Sequence, residues 1–323
     1  MKNRLQVSYE YDGNIRENPA SDTVGQIKDS SARFLFQSQA SRNSPKTRLG
    51  LIFRSGLQIY AEHAIENKLI NEVELTSGAK VWKVVVGGRG SGRLKLYLND
   101  LLDYASGTAE LYVQTPFFSN ITSELAFQVA GIDYQNFTIF DYSENQFKWQ
   151  FSRKLTPGLS SAFEFGFRQI RYNRTLNFDP ANPEFGLKQE DDNYKFFLQL
   201  NYSKKFLLNL SYAFQHNTSN TVGYGYNRHQ VILVFGTPLF SGIWLRGYGA
   251  YQSKRYSDKG IPMFPVDIDT ERDESNFFIA DLSKDLKPGL TAMARLAFYN
   301  NESIIRSRFY RKLLLTAGFD FRF

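Results

Sequence analysis

Hydrophobic and polar residues alternate one by one along most of the chain, most clearly at its C-terminal end. Odd positions from 313 to 323 carry Leu, Leu, Ala, Phe, Phe and Phe, whereas the even positions include Lys312, Asp320 and Arg322. Successive side chains of a β-strand point to opposite faces, so this spacing predicts a strand with one apolar and one polar face.

The same alternation recurs upstream, for example where Phe163, Phe165 and Phe167 alternate with Glu164 and Arg168. Strands placed between turn signals number about 16, an even number as in bacterial barrels, and 14 is the alternative count. The assignment depends most on residues 66–110. The predicted strands are 3–11, 30–41, 47–62, 75–87, 91–99, 104–115, 121–133, 137–154, 159–174, 191–202, 205–216, 226–236, 242–254, 273–283, 288–301 and 308–323.

Short and long connections alternate between these strands. Short turns are predicted at 43–46, 88–91, 116–119, 156–158, 203–205, 237–238 and 287–289, and long loops include 12–29, 173–192 and 254–273. Outer-membrane barrels pair short periplasmic turns with longer outer loops. The predicted fold is therefore all-β: one closed antiparallel transmembrane β-barrel over residues 1–323, with both termini in the periplasm. A soluble β-sandwich or lipocalin-like barrel is the alternative.

Composition favours the membrane barrel. Of 323 residues, 16% are aromatic, including 29 Phe and 19 Tyr, yet mean hydropathy is −0.39. No run approaches the roughly 18 apolar residues of a membrane helix, whereas a barrel spreads its aromatic residues over an outer wall. Cysteine is absent, which excludes disulfides. No apolar signal segment follows Met1, so we expect a mature chain or part of a longer protein.

Net charge is +7, and the strand register predicts where part of it lies. Acidic residues predicted to face inward are fewer than basic ones and comprise Glu10, Glu110, Glu124, Glu164, Asp281 and Asp320. A basic lumen attracts anions, but cross-barrel ion pairs explain the same residues equally well. The predicted lumen-lining basic residues are Arg33, Arg54, Arg93, Lys95, Lys148, Arg168, Lys195, Arg228, Arg246, Arg295, Lys312 and Arg322.

Few residues suggest catalysis. His216 and His229 end two adjacent predicted strands and are expected to lie across from one another, but no carboxylate is close in sequence. The acidic stretch 267–274 lacks the order of an EF-hand. Gly88, Gly90 and Gly92 lack the Gly-Lys-Ser/Thr ending of a phosphate loop and are predicted to form a tight turn. We expect no enzyme activity, no metal, no cofactor and no nucleic-acid partner.

Two parts of the sequence resemble known families. The ending with Phe319, Phe321 and Phe323 resembles the C-terminal assembly signal of bacterial outer-membrane barrels. Residues 7–14 and 223–231 resemble the barrel domains of exopolysaccharide exporters and surface lipoprotein assembly modifiers. This resemblance implies an outer-membrane location, contact with lipopolysaccharide, recognition by the barrel-assembly machinery, and a periplasmic helical-repeat partner.

These features lead to three functional hypotheses. The first is a translocation channel for an anionic polysaccharide or a surface protein. The second is a general diffusion porin, and the third is a scaffold barrel that holds a plug or a partner complex. A barrel of about 16 strands is wide enough for an aqueous channel, unless loop 12–29 or loop 173–192 folds inward.

Overall fold

A computed structural model describes residues 1–15, 25–99, 103–118, 120–175, 186–221, 224–257, 276–301 and 310–323. These residues form strands, short connections and three short 3-10 helices at Ala64–Glu66, Thr138–Phe140 and Phe240–Gly242. The strands are β1 (Lys2–Asp12), β2 (Asp29–Asn43), β3 (Thr47–Tyr60), β4 (Lys68–Val81), β5 (Val84–Tyr97), β6 (Tyr104–Phe118), β7 (Ile121–Tyr134), β8 (Tyr142–Thr156), β9 (Leu159–Thr175), β10 (Lys188–Ser203), β11 (Leu207–Ser219), β12 (Tyr226–Pro238), β13 (Ile243–Tyr256), β14 (Asn276–Lys287), β15 (Leu290–Asn301) and β16 (Tyr310–Arg322).

Each strand pairs antiparallel with its neighbours in sequence, and β1 pairs with β16 to close the barrel. Along this seam Leu5 lies opposite Phe321 and Val7 lies opposite Phe319. The closed barrel of 16 strands confirms the predicted fold class and strand count. Closure gives each of the described strands a paired strand on both sides, as a lipid environment requires.

Strand length fits a membrane. Most strands have 12 to 15 residues, which at about 3.3 Å per residue gives roughly 40–50 Å. A tilt of about 40° leaves about 30–38 Å along the barrel axis, enough for the apolar band of such barrels. None of the helices in the described parts of the chain is both long and apolar enough to cross a membrane.

The predicted turn at 88–91 is wrong, because these residues lie inside β5 and the chain reverses at Trp82 and Lys83. Trp82 has φ 59°, as tight hairpin turns require. Gly87, just before the predicted turn, is required for close packing inside β5 and not for a turn. A Cβ at Gly87 would lie 2.4 Å from the Tyr112 hydroxyl, which donates a hydrogen bond to the Ser77 carbonyl oxygen at 3.1 Å.

One face of the barrel forms an apolar outer wall. Cross-strand neighbours such as Phe165 and Phe196 have ring centroids 5.3 Å apart, and Leu198 is 53% exposed. Such exposure is unusual in a soluble protein but is expected where lipid replaces water. The opposite face carries polar and charged side chains, and the buried Glu10, Asp12 and Gln215 are examples.

Candidate functional site: the lumen and its mouth at the short turns

The predicted lumen-lining basic residues all lie at strand positions that share the inward face. Their cross-strand partners are also inward and mostly polar; for example, Arg33 pairs in register with Ser8 and Gln58. Arg295 lies between Asp281 and Thr316 in the same way. The alternation of the strands therefore brings these cations onto one continuous polar surface.

Most of the predicted inward cations between mid-barrel and the long-loop end form ion pairs with acidic neighbours. In each pair the carboxylate lies on the adjacent strand, which favours the ion-pair interpretation for this part of the lumen. The pairs are Arg33–Glu10 at 2.5 Å, Arg93–Glu72 at 2.6 Å, Arg295–Asp281 at 2.6 Å, Lys312–Asp12 at 3.0 Å, Arg168–Glu144 at 3.4 Å, Lys195–Glu164 at 3.5 Å, and Arg54 with Glu74.

Four of these acids were absent from the sequence prediction: Asp12, Glu72, Glu74 and Glu144. The misplaced turn at 88–91 had shifted the boundaries of the strands around Glu72 and Glu74. The inward orientation of Asp12 and Glu144 could have been predicted from the sequence. Both residues occupy even-numbered positions of their strands, and the even-numbered positions of these strands face the lumen. The mid-lumen is thus closer to charge balance than the sequence indicated.

Glu110 is the centre of the densest of these clusters. Its carboxylate accepts a hydrogen bond from Arg89 at 2.6 Å and another from the Lys148 ammonium. Arg89 also donates to Glu124 at 2.9 Å, and its guanidinium lies 4.1 Å from the Tyr112 ring centroid. One carboxylate therefore holds two cations against the wall formed by β5 to β8.

The end of the barrel formed by the short turns has a different charge balance. Arg48, Lys80, Lys154 and Arg246 face inward near this end, and all four are exposed. Among the described residues, none of the four has a carboxylate within ion-pair distance. We call these four residues the basic mouth.

Further basic residues surround the basic mouth on the same rim. Asp320 is an acidic group near it, but it is already shared by Arg4 at 2.8 Å and Arg322 at 3.5 Å. The rim also includes the exposed Asp285 on β14. The other basic residues of this rim are Lys2, Arg42, Lys46, Lys83, Arg153, Lys204, Lys205, Lys284 and Lys287.

The long-loop end is more acidic and more tightly packed. Inward residues such as Asn14, Gln189 and Tyr134 are almost completely buried there. The acids of this end include Glu62, Glu66, Asp103, Asp133, Asp141, Glu190, Asp191 and Asp192. Inward side chains are therefore exposed at the short-turn end and buried at the other end, where acidic residues are also more numerous among the described positions.

His216 and His229 lie on adjacent strands, β11 and β12. The prediction that His216 and His229 lie across from one another is wrong: His216 pairs with Asn227, and His229 pairs with Phe214. Both side chains have outward parity, and the His229 ring nitrogen lies 2.7 Å from the Tyr212 hydroxyl. Within the described ranges no cluster of His, Asp or Glu has the arrangement of a metal site. The acidic stretch 267–274 lies outside those ranges, as do residues 16–24 and 176–185 of the predicted inward loops.

Comparison with known proteins bears on the fold. No family model and no curated protein sequence match this chain. A BenF-like porin from Pseudomonas fluorescens Pf-5 is 8% identical, with a TM-score of 0.51 over 100% of this chain and 98% of the porin. OpdL of Pseudomonas aeruginosa is 11% identical over 99% and 98% of the two chains, with a TM-score of 0.45.

A structure described as a bacterial polysaccharide outer membrane secretin is 8% identical over 99% of this chain and 97% of its own, with a TM-score of 0.46. The likeness to the BenF-like porin, together with the closed barrel and its apolar wall, confirms the fold of a bacterial outer-membrane barrel. At such low identity the likeness shows the fold alone. The narrower resemblance to exopolysaccharide exporters and lipoprotein assembly modifiers stays a prediction.

Proposed function

We propose that this protein is an outer-membrane channel for anionic solutes and that its selectivity is set at the basic mouth. The observation that carries the proposal is the placement of Arg48, Lys80, Lys154 and Arg246, which face the lumen without carboxylate partners among the described residues. Cations in a confined mouth raise the local concentration of anions and repel cations.

The mechanism follows from the direction of this charge asymmetry. Short turns face the periplasm in barrels of this kind, so the basic mouth collects anions on the periplasmic side. Deeper in the lumen, ion pairs such as Arg295–Asp281 present both signs of charge. A lumen surface with nearly equal positive and negative charge binds an anion weakly. The anion can therefore dissociate and continue through the channel.

This direction favours export of an anionic polysaccharide or a surface protein, the two cargo classes of the first sequence-based hypothesis. A general diffusion porin is the alternative with the same geometry. A periplasmic helical-repeat partner, lipopolysaccharide contacts and assembly through Phe319, Phe321 and Phe323 belong to the same proposal. A soluble anionic oligosaccharide added to the short-turn side separates the two functions, because an exporter is blocked by it and a general porin is not.

Neutralising the basic mouth tests the proposal. The quadruple variant Arg48→Gln, Lys80→Gln, Lys154→Gln and Arg246→Gln should lower the anion-to-cation permeability ratio at least about threefold, because the mouth loses its unpaired cations. The measurement is the reversal potential of the channel in a planar bilayer under a salt gradient.

A control variant removes the same charge from the same rim without touching the lumen. It combines Arg42→Gln, Lys46→Gln, Arg153→Gln and Lys284→Gln, since the three strand residues have outward parity and Lys46 lies in a turn. This variant should keep the selectivity of the original protein. Equal loss of selectivity in both variants contradicts a site at the basic mouth, and a silent original protein favours the scaffold hypothesis.

A further inference from the structure

The outer wall contains a groove between β8 and β11, on the half of the barrel nearest the short turns. Its volume is about 390 Å³, well above the roughly 150 Å³ cavity that holds benzene. Apart from Arg153, its outward lining is mostly apolar and includes Phe151, Ser161, Phe163, Leu198 and Leu200.

A small side chain explains the groove. Ser161 has the same outward parity as Phe163 on β9 and lies in register with Arg153 on one side and Leu200 on the other. Larger side chains beside it, such as Phe163 and Leu200, extend farther from the sheet than Ser161 does. This difference in length leaves a depression in the outer wall. Because this wall faces the bilayer, the depression is open to acyl chains and closed to the lumen.

Positive charge lies at the end of this groove. Arg153 belongs to its lining, and the turn after β10 carries Lys204 and Lys205. Leu200 precedes Lys204 by four residues, or about 13 Å along the strand at about 3.3 Å per residue. Long basic side chains cover such a span by extending toward the interface while their stems remain on apolar surface.

The turn after β10 lies against the turn between β8 and β9. The backbone N–H of Ser203 donates to the carbonyl oxygen of Gly158 at 2.8 Å, and the Lys204 side chain lies against Gly158. Arg153, Lys204 and Lys205 are exposed. Within the described residues, none of the three forms an ion pair, so their charge is available to a ligand.

We propose that this groove binds an anionic phospholipid of the periplasmic leaflet. One acyl chain lies along Ser161 and its apolar neighbours, and the phosphate contacts Arg153, Lys204 and Lys205. The apolar lining disfavours free phosphate or a soluble anion as the occupant. Basic residues near a membrane surface strengthen the attraction of anionic lipid, and burial of the chain adds to this.

The experiment is lipid binding to the folded barrel in detergent, measured by native mass spectrometry with phosphatidylglycerol and with phosphatidylethanolamine. The original protein should retain phosphatidylglycerol in preference. The triple variant Arg153→Gln, Lys204→Gln and Lys205→Gln should bind it at least about tenfold more weakly, which matches the loss of somewhat over one kcal/mol.

Two further variants separate the site from general attraction to the rim. Arg42→Gln, Lys46→Gln and Lys83→Gln remove the same charge from residues of the short-turn rim that do not line this groove, and should leave binding unchanged. Ser161→Phe fills the groove without altering charge and should weaken binding, with folding verified by heat-dependent gel mobility. The proposal is overturned by equal losses in the two triple variants, by full binding to Ser161→Phe, or by phosphatidylethanolamine binding as tightly.

Discussion

Replacement of Gly318 by valine should prevent most of the protein from folding, because the new side chain has no space at the closing seam of the barrel. A Cβ at this position would lie 2.2 Å from the Val7 carbonyl oxygen and 2.6 Å from the Ser8 Cα. These atoms belong to the backbone of β1, which pairs with β16 at this point of the seam. Backbone atoms cannot move aside by a change of side-chain rotamer.

The expected cost exceeds the roughly 1–3 kcal/mol of ordinary overpacking, because relief requires the two strands to separate. The measurement is the fraction of protein that shows heat-dependent gel mobility after refolding into detergent, which should fall below about a tenth of the original.

Gly166→Val is the matched control for this prediction. Gly166 also has inward parity and lies in the middle of a strand, but the nearest atom to an added Cβ is the Gln146 side-chain nitrogen at 3.6 Å. This variant should fold as the original protein does. Normal folding of Gly318→Val, or equal failure of both variants, contradicts the steric account of the seam.

The architecture was predictable because each strand carries its own signal. Strict alternation, as at Phe163 to Phe167, indicates both the strand and the face that meets lipid, without knowledge of any partner strand. The alternation of short and long connections then fixes the even strand count. The error at 88–91 arose because glycine serves two purposes: Gly87 leaves space for Tyr112, but such glycines in sequence resemble a turn.

The inward orientation of charged residues could be predicted from the sequence, but their pairing in the lumen could not. Parity indicates that Arg33 or Lys148 faces inward, but it does not indicate which carboxylate lies beside it. Such pairing depends on register and tilt between strands, and Lys148 on β8 reaches Glu110 on β6, two strands away. Parity also predicted that Arg246 faces the lumen, but the grouping of the basic mouth was not predicted. Its residues stand at strand ends, and the short connections that bring them together reveal their length in the sequence but not which charged residues become neighbours.

Glu110 offers the sharpest test of how the lumen keeps its charge balanced. Glu110→Gln should raise the anion-to-cation permeability ratio, because Arg89 and Lys148 lose the carboxylate between them. The same change should lower the free energy of unfolding by about 2 kcal/mol. That figure is below the ~3–5 kcal/mol for a fully buried pair, since the Arg89 side chain is 43% exposed.

The two effects are measured separately, by reversal potential in a planar bilayer and by urea unfolding of the barrel in lipid vesicles. Glu190→Gln is the control, because it also removes one carboxylate from an ion pair. Its partner Arg171 is 3.4 Å away and both side chains are at least half exposed, so the pair contributes about 0–1 kcal/mol. This control should leave selectivity unchanged.

Each combination of results has a distinct meaning for the lumen. A more anion-selective and less stable Glu110→Gln protein means that the acids of the mid-lumen serve both to hold the wall and to limit how strongly it binds anions. A destabilised protein with unchanged selectivity means that permeating ions do not sense the cluster, and selectivity then belongs to the basic mouth alone. Unfolding indistinguishable from that of Glu190→Gln contradicts the view that Glu110 stabilises β5 to β8.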